Sequence, residues 1–194
     1  MFISFEGIDG SGKTTQAKLI YEELRKNHKC VFTREPTQGD IGNFVKKLIK
    51  RKKINPMAAQ LLFAADRSFH LENLIKPMLK SNNIVITDRY YLSTIAYGKA
   101  SGLNERWLGL VNSRFLKPDI TFVFDIDPKV AIRRIGSRRK DTAYFEKLKF
   151  LKDTRNVYRK LASRHGCFLI DGSQDIETIK ELLLLIIKHH APIV

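Results

Sequence analysis

The 194-residue chain is 43% hydrophobic and carries 35 Lys plus Arg against 20 Asp plus Glu, a formal charge of +15. That length and apolar content suit one well-buried α/β unit and exclude a largely disordered chain, and the charge favours an anionic partner: a nucleotide, a nucleic acid or an acidic surface. Cys30 and Cys167 lack CxxC spacing and sit at the edges of apolar runs, which points to inert thiols in a reducing setting rather than to a disulfide.

In chain order, residues 2–5 form a short apolar strand with no leader before it. Residues 7–14 then read GIDGSGKT, a match to GxxxxGK[ST]. Gly7, Gly10 and Gly12 let the backbone amides turn inward around phosphate oxygens, Lys13 supplies a point charge and Thr14 a hydroxyl for Mg²⁺. With Ile8, Asp9, Ser11 and Thr15, and with the positive end of the helix that starts here, these residues form the expected ATP-binding set. Residues 15–26 have helical spacing, residues 30–33 form a second strand, and Arg34, Glu35 and Pro36 follow at its carboxyl end, where ligands bind in open parallel sheets. Residues 41–49 are helical and run into a basic cluster at 46–53. It reads as a solvated face, because no aromatic residues interleave with its charges.

Asn55 and Pro56 are a cap and a first-turn proline, opening a helix predicted to reach about Lys76. Phe63, Arg67 and His70 fall on one of its faces. Two readings stand side by side there: a ring and a guanidinium that stack a nucleobase and bond its edge, or a core Phe63 with Arg67 paired to Asp66 or Glu72. Residues 84–87 are an apolar strand ending in Asp88-Arg89-Tyr90. Asp88 is the candidate acid for a metal held through water, with capping or a salt bridge as the alternative. Arg89, Ser93 and Tyr97, with Thr94 beside them, line one side of a short helix with hydrogen-bonding groups.

Residues 103–115 form a helix whose Trp107 suits the core or a subunit interface, residues 120–124 a fourth strand, and Asp127-Pro128 a further cap and helix start. The arginine-rich segment 133–141 reads as a mobile lid closing on transferring phosphates. A long helix at 144–162, a strand at 168–170 and a closing helix at 176–188 complete the chain, with His189 and His190 as a frayed tail. The longest apolar run, residues 182–187, is too short to cross a bilayer, so a cytoplasmic location and no membrane partner are expected. Strands alternating with helices predict an α/β, three-layer P-loop NTPase fold with a parallel sheet of about five strands flanked by helices. The whole of residues 1–194 is expected to form a single kinase domain with its lid at 136–143.

The stretches FEGIDGSGKTT, TREP, LLFAADR and DRYYLSTIAYG resemble the signatures of thymidylate kinases, and they cover the amino-terminal half of the chain. Adenylate and uridylate/cytidylate kinases have a different loop and a glycine-rich strand end in place of DRY. The resemblance implies transfer of the ATP γ-phosphoryl group to dTMP, with Mg²⁺, in a protein that forms homodimers. It also implies roles: Asp9 holds the acceptor 3'-hydroxyl, Phe63 stacks on thymine, Arg67 bonds the base edge, and Arg34 and Arg89 bind the acceptor phosphate. Ser93, Thr94 and Tyr97 then line base and sugar, the tyrosine crowding out a ribose 2'-hydroxyl. Ser11 stands where some members place an arginine, which turns the search for a catalytic cation to Arg138 and Arg139 in the lid, and Gly98 stands where many relatives have a polar residue.

A monophosphate acceptor has its second pKa near about 6, so it is mostly dianionic at neutral pH and needs no general base. The chemistry falls to charge neutralisation by Lys13, Arg89, Arg138 and Arg139 and to Mg²⁺ on Thr14 and Asp88. The rivals are another small-acceptor kinase and, from a different class, an ATP-dependent nucleic-acid-binding protein tracking phosphates along residues 46–53. The latter is disfavoured by the absence of a recognisable reader module in the sequence.

Overall fold

Five strands, β1 (Phe2–Gly7), β2 (Cys30–Arg34), β3 (Ile84–Asp88), β4 (Ile120–Asp125) and β5 (Phe168–Asp171), pair in parallel in the order β2-β3-β1-β4-β5. The structure is a computed structural model that describes residues 1–136 and 142–190. The helices are α1 (Lys13–Leu24), α2 (Asp40–Lys50), α3 (Pro56–His70), α4 (Lys76–Lys80), α5 (Tyr91–Ala100), α6 (Glu105–Asn112), α7 (Pro128–Arg134), α8 (Thr142–Arg164) and α9 (Ile176–His190). The expected α/β class and strand count are therefore found. No helix among the described residues is long and apolar enough to cross a membrane.

The central strand shows how a parallel sheet comes to be covered on both faces. Its alternating side chains Ile3 and Phe5 join Ala17 and Ile20 of α1 and Ile179, Leu183 and Ile187 of α9 in one apolar cluster. Phe2, on the other face, packs with Tyr90, Leu92 and Ile95 near α5 and with Leu151 and Leu161 of α8. Ser4 on that second face pairs its hydroxyl with Thr121 of β4 at 2.8 Å, and Glu6 is completely buried there. The LLLLII run of α9 is thus split: Leu183 and Ile187 pack on the sheet, while Leu182 and Leu185 face solvent.

Several boundaries depart from expectation for local reasons. The helix opened by Asn55, whose side chain accepts from the Ala58 amide, continues past Lys76 to Lys80 by way of a π-helical turn at Leu71–Ile75. Pro77 explains the turn: a proline ring clashes with the carbonyl of the preceding turn in an α-helix, and widening the turn relieves it. Asn73 then donates from its side chain to the Phe69 carbonyl. Arg89 precedes α5 instead of starting it and adopts a left-handed backbone, φ 74°. The helix predicted over 103–115 is shortened to α6 by its Asn104 cap. His189 and His190 belong to α9 and not to a frayed tail, because the His190 ring meets Phe168 edge-on, centroids 4.8 Å apart. Cys30 and Cys167 are free, and burial raises both thiols, Cys167 to about 11, as inert thiols require.

Glu6 joins three elements. Its carboxylate accepts from the backbone amides of Tyr90 (2.9 Å) and Ser93 (3.2 Å), from the Ser93 hydroxyl (2.6 Å) and from the Tyr158 hydroxyl on α8 (3.1 Å). Burial pushes this carboxyl above its ordinary range, and the bonds from Ser93 and Tyr158 and the Arg89 cation pull against that rise. Glu6→Leu, close in volume, strands all four donors. We expect it to cost about 3 kcal/mol or more, lowering Tm by roughly 6 °C or more. Glu6→Gln still accepts from the two amides and should lose less than half as much in thermal unfolding; equal losses would contradict this account.

Candidate active site

The sheet order places the β1–α1 loop next to the carboxyl ends of β3 and β4, the edge where parallel sheets bind ligands. Within this loop Gly7, Gly10 and Gly12 all have positive φ. A Cβ on Gly10 would strike the Ala131 carbonyl, and one on Gly7 would lie 2.7 Å from the Phe124 carbonyl oxygen, so α7 and β4 hold the loop too closely for any side chain there. Lys13 is 5% exposed and donates to the Ile8 carbonyl at 3.4 Å. Burial first, then the Arg89 guanidinium, lower its ammonium pKa to about 8, against the pull of Asp88, Asp9 and Glu6.

Thr14 donates from Oγ1 to Asp88 Oδ2 at 2.6 Å, which brings the loop hydroxyl and the β3 acid together across 74 residues of sequence. The other carboxylate oxygen, Oδ1, is buried with no hydrogen-bond partner among the described residues. A hydroxyl and a carboxylate with an oxygen to spare are hard donors of the kind Mg²⁺ takes, and so they fit it. Among the described residues no cluster of three or more His, Cys, Asp or Glu could enclose a metal.

Beside the loop, a cavity of about 600 Å³ opens between α3, α5 and α8. Phe63, Arg67, Arg89, Thr94, Tyr97 and Asp9 all line it. Asp9 and Arg89 mark the border between loop and cavity. Arg89 Nη2 lies 2.5 Å from the Asp9 carboxylate, Nη1 donates to the Gly7 carbonyl and to the Ser93 hydroxyl, and the Tyr97 hydroxyl accepts from both Arg89 and the Asp9 amide. Arg34 is exposed at the end of β2, in register with Asp88 and outside the cavity lining.

Arg67 is 2% exposed, and its partners differ from both that its own helix offered. Asp66 projects from a neighbouring face and accepts from the Thr37 amide and hydroxyl, while Glu72 pairs with Lys76. Glu35, from the turn after β2, receives Arg67 Nε at 2.9 Å. Asn112 of α6 receives Nη1 at 2.6 Å, and Thr94 of α5 receives Nη2 at 2.9 Å. The rings of Tyr90 and Phe115 lie 5.2 and 5.4 Å from its Cζ. His70 Nδ1 sits 3.0 Å from the other Glu35 oxygen and its Nε2 lies 2.7 Å from the Thr33 hydroxyl, so Glu35 is held from two sides.

The basic cluster at 46–53 is a solvated face for most of its length, but Lys46 donates to the Thr37 carbonyl and Lys52 reaches the cavity wall. Arg138 and Arg139, with most of the lid expected at 136–143, lie outside the described residues. Other residues were missed at the sequence level. Glu6 was signalled by an acid inside an apolar strand. Gln60, three residues before Phe63, shares its helix face. Asn112 gave no local signal. Nor did a second cavity of about 260 Å³ behind the loop, lined by Ser11, Gly12, Thr15, Gln16, Arg134 and Gln174 among others.

A model of the thymidylate kinase family matches residues 5–183. Similar proteins include a probable thymidylate kinase of Sulfurisphaera tokodaii, 42% identical over 188 residues that make up 96% of this chain and 95% of that one. Another from Thermococcus kodakarensis is 38% identical, with 97% of each chain covered. The thymidylate kinase of Onion yellows phytoplasma is 41% identical, with 94% of each covered.

The Glu35–Arg67 pair yields a non-additive prediction. Glu35→Leu leaves a buried guanidinium uncompensated and should cost about 3–5 kcal/mol in urea unfolding, whereas Glu35→Leu combined with Arg67→Met removes both charges and should cost less than Glu35→Leu alone. Strict additivity of the two single losses would show that the pair does not act as a unit.

Proposed function

The chain belongs to the thymidylate kinase family, and from that membership we propose that it transfers the γ-phosphoryl group of ATP to dTMP, giving dTDP and ADP for dTTP synthesis, with Mg²⁺ as cofactor. The observation that carries the reading is the Asp9–Arg89 ion pair, which puts the phosphate loop and the base-sized cavity on either side of a single contact. Donor and acceptor phosphates then meet at Arg89.

On this reading the acceptor base stacks on Phe63 and receives a hydrogen bond from Arg67, and Tyr97 and Thr94 line the sugar and base. Asp9 accepts from the 3'-hydroxyl, and Arg34 and Arg89 bind the acceptor phosphate. Glu35 and Ser93 line the same cavity, but their bonds to Arg67 and Glu6 give them a holding function rather than direct contact. The second cavity, with Arg134 and Gln174 in its wall, suits the nucleoside of ATP. Lys13 and the loop amides take the donor phosphates. Thr14 and Asp88 would hold Mg²⁺, which supplies positive charge to the phosphate oxygens. Arg138 and Arg139 are proposed to bring further cations to the transferred group.

Because the acceptor dianion is its own nucleophile, catalysis rests on holding two anions in line and neutralising the charge that develops, with no proton to remove. The site residues accordingly offer cations and amides where a general base would otherwise sit. We further propose that residues 1–194 act as a single cytoplasmic kinase domain with a lid at 136–143, and that it pairs as a homodimer. Exposed Phe44, Met57, Leu61, Phe69 and Leu110 on α2, α3 and α6 support an apolar contact, while Trp107 packs against the core.

An assay of ADP release across dTMP, dUMP, UMP, CMP and AMP tests the reading. dTMP should be the best acceptor, and a different preference would overturn it. Lys13→Ala should retain the fold and lose on the order of 10² or more in turnover.

A further inference from the structure

Among the buried polar side chains that line the cavity, Gln60 differs in having no partner. It is 4% exposed, neither end of its amide makes a hydrogen bond within the described residues, and its Oε1 is wholly shielded. The neighbouring groups are all engaged. Glu35 and Thr94 accept from Arg67, Ser93 donates to Glu6, and the Tyr97 hydroxyl accepts from Arg89. An amide oxygen left unpaired at that depth costs roughly 1–3 kcal/mol, and an amide with no bond to break turns toward a ligand without losing one.

The fold aims this amide. Gln60, Phe63 and Arg67 lie at i, i+3 and i+7 on α3, so all three present to one face, and all three line the cavity. Across from them, Gly98 of α5 leaves no side chain. A Cβ there would lie 2.7 Å from Leu108 Cδ2 and 3.3 Å from Gln60 Cγ, so the Gln60 stem occupies the room a residue at 98 would need. The Gln60 stem is consequently packed against α5, with its amide at the cavity wall.

Arg67 fixes the chemistry of the partner. Of the five N–H groups of a guanidinium, Nε serves Glu35, Nη2 serves Thr94 and lies 2.7 Å from Glu35, and Nη1 serves Asn112. One Nη1 N–H is left to donate, and a keto oxygen accepts it. In a thymine or uracil ring the atom beside the 4-keto oxygen is N3–H, a donor, which needs an acceptor next to the guanidinium. We propose that Gln60 is a base-reading residue and that its amide carbonyl accepts the N3–H of the pyrimidine imide. Turning the amide about its last torsion, across a broad, nearly two-fold well, brings the carbonyl out of its shielded position toward the ring and puts Nε2 in its place. Arg67 and Gln60 together form a donor–acceptor pair complementary to an imide edge. Cytosine presents an amino group to Arg67, and the guanidinium has no acceptor to offer it.

This inference rests on the acceptor being a thymidine nucleotide. It is tested with dTMP and its N3-methyl derivative, on the wild-type protein and on Gln60→Leu and Gln60→Met, the latter nearly isosteric in case leucine disturbs the packing over Gly98. Loss of the contact should raise KM for dTMP about tenfold with kcat within about twofold, because the bond is made equally before and during transfer. N3-methylation should cost the wild type about tenfold or more and the variants less than about threefold. An unchanged KM in both variants, or an equal methylation penalty in all three proteins, overturns the role of Gln60 while leaving the kinase reading intact. A wild-type protein that does not phosphorylate dTMP overturns both.

Discussion

A single buried carboxylate connects the glycine-rich loop to the wall of the larger cavity. Glu6 sits one residue before the loop begins, and it accepts from the turn that follows β3, from the first turn of α5 and from α8. Ser93, one of those donors, is also bonded by Arg89. The strand that carries the loop is thereby locked to the arginine that stands between the loop and the larger cavity. Four donors converge on one acid because a buried acid is tolerated when its lone pairs are filled, and filling them fixes three elements at once.

The cavity shows the same logic with the charges reversed. Arg67 is a buried cation whose position comes from three different elements, the turn after β2, α5 and α6, and from two aromatic faces. A guanidinium held in this way reaches a ligand with little side-chain freedom left to lose. With its other directions occupied, one N–H of the guanidinium is left over among the described residues once the scaffold is satisfied.

The +15 charge acquires a more specific meaning in this setting. Much of it is surface lysine, but Lys13, Arg89, Arg34 and Arg134 lie around the carboxyl edge of the sheet, where two polyanions have to approach each other. Burial and the Arg89 guanidinium lower the Lys13 pKa to about 8, so the two cations are held together against their mutual repulsion.

The sequence by itself determined the elements and the chemistry of the loop. Asn55-Pro56 and Asp127-Pro128 announced helix starts because capping is local, and GIDGSGKT announced a phosphate cradle because the backbone conformation it requires is written in its glycines. Helical spacing also put Phe63 and Arg67 on one face, yet neither partner it offered for an ion pair, Asp66 or Glu72, is the one Arg67 takes. Its partner Glu35 is 32 residues away and Asn112 is 45 away. Periodicity records which face a side chain occupies and is silent about what packs against that face. The Thr14–Asp88 bond, the Glu6 hub and the unpaired Gln60 amide over Gly98 were decided by the tertiary structure alone, since each depends on distances between elements that no local pattern encodes.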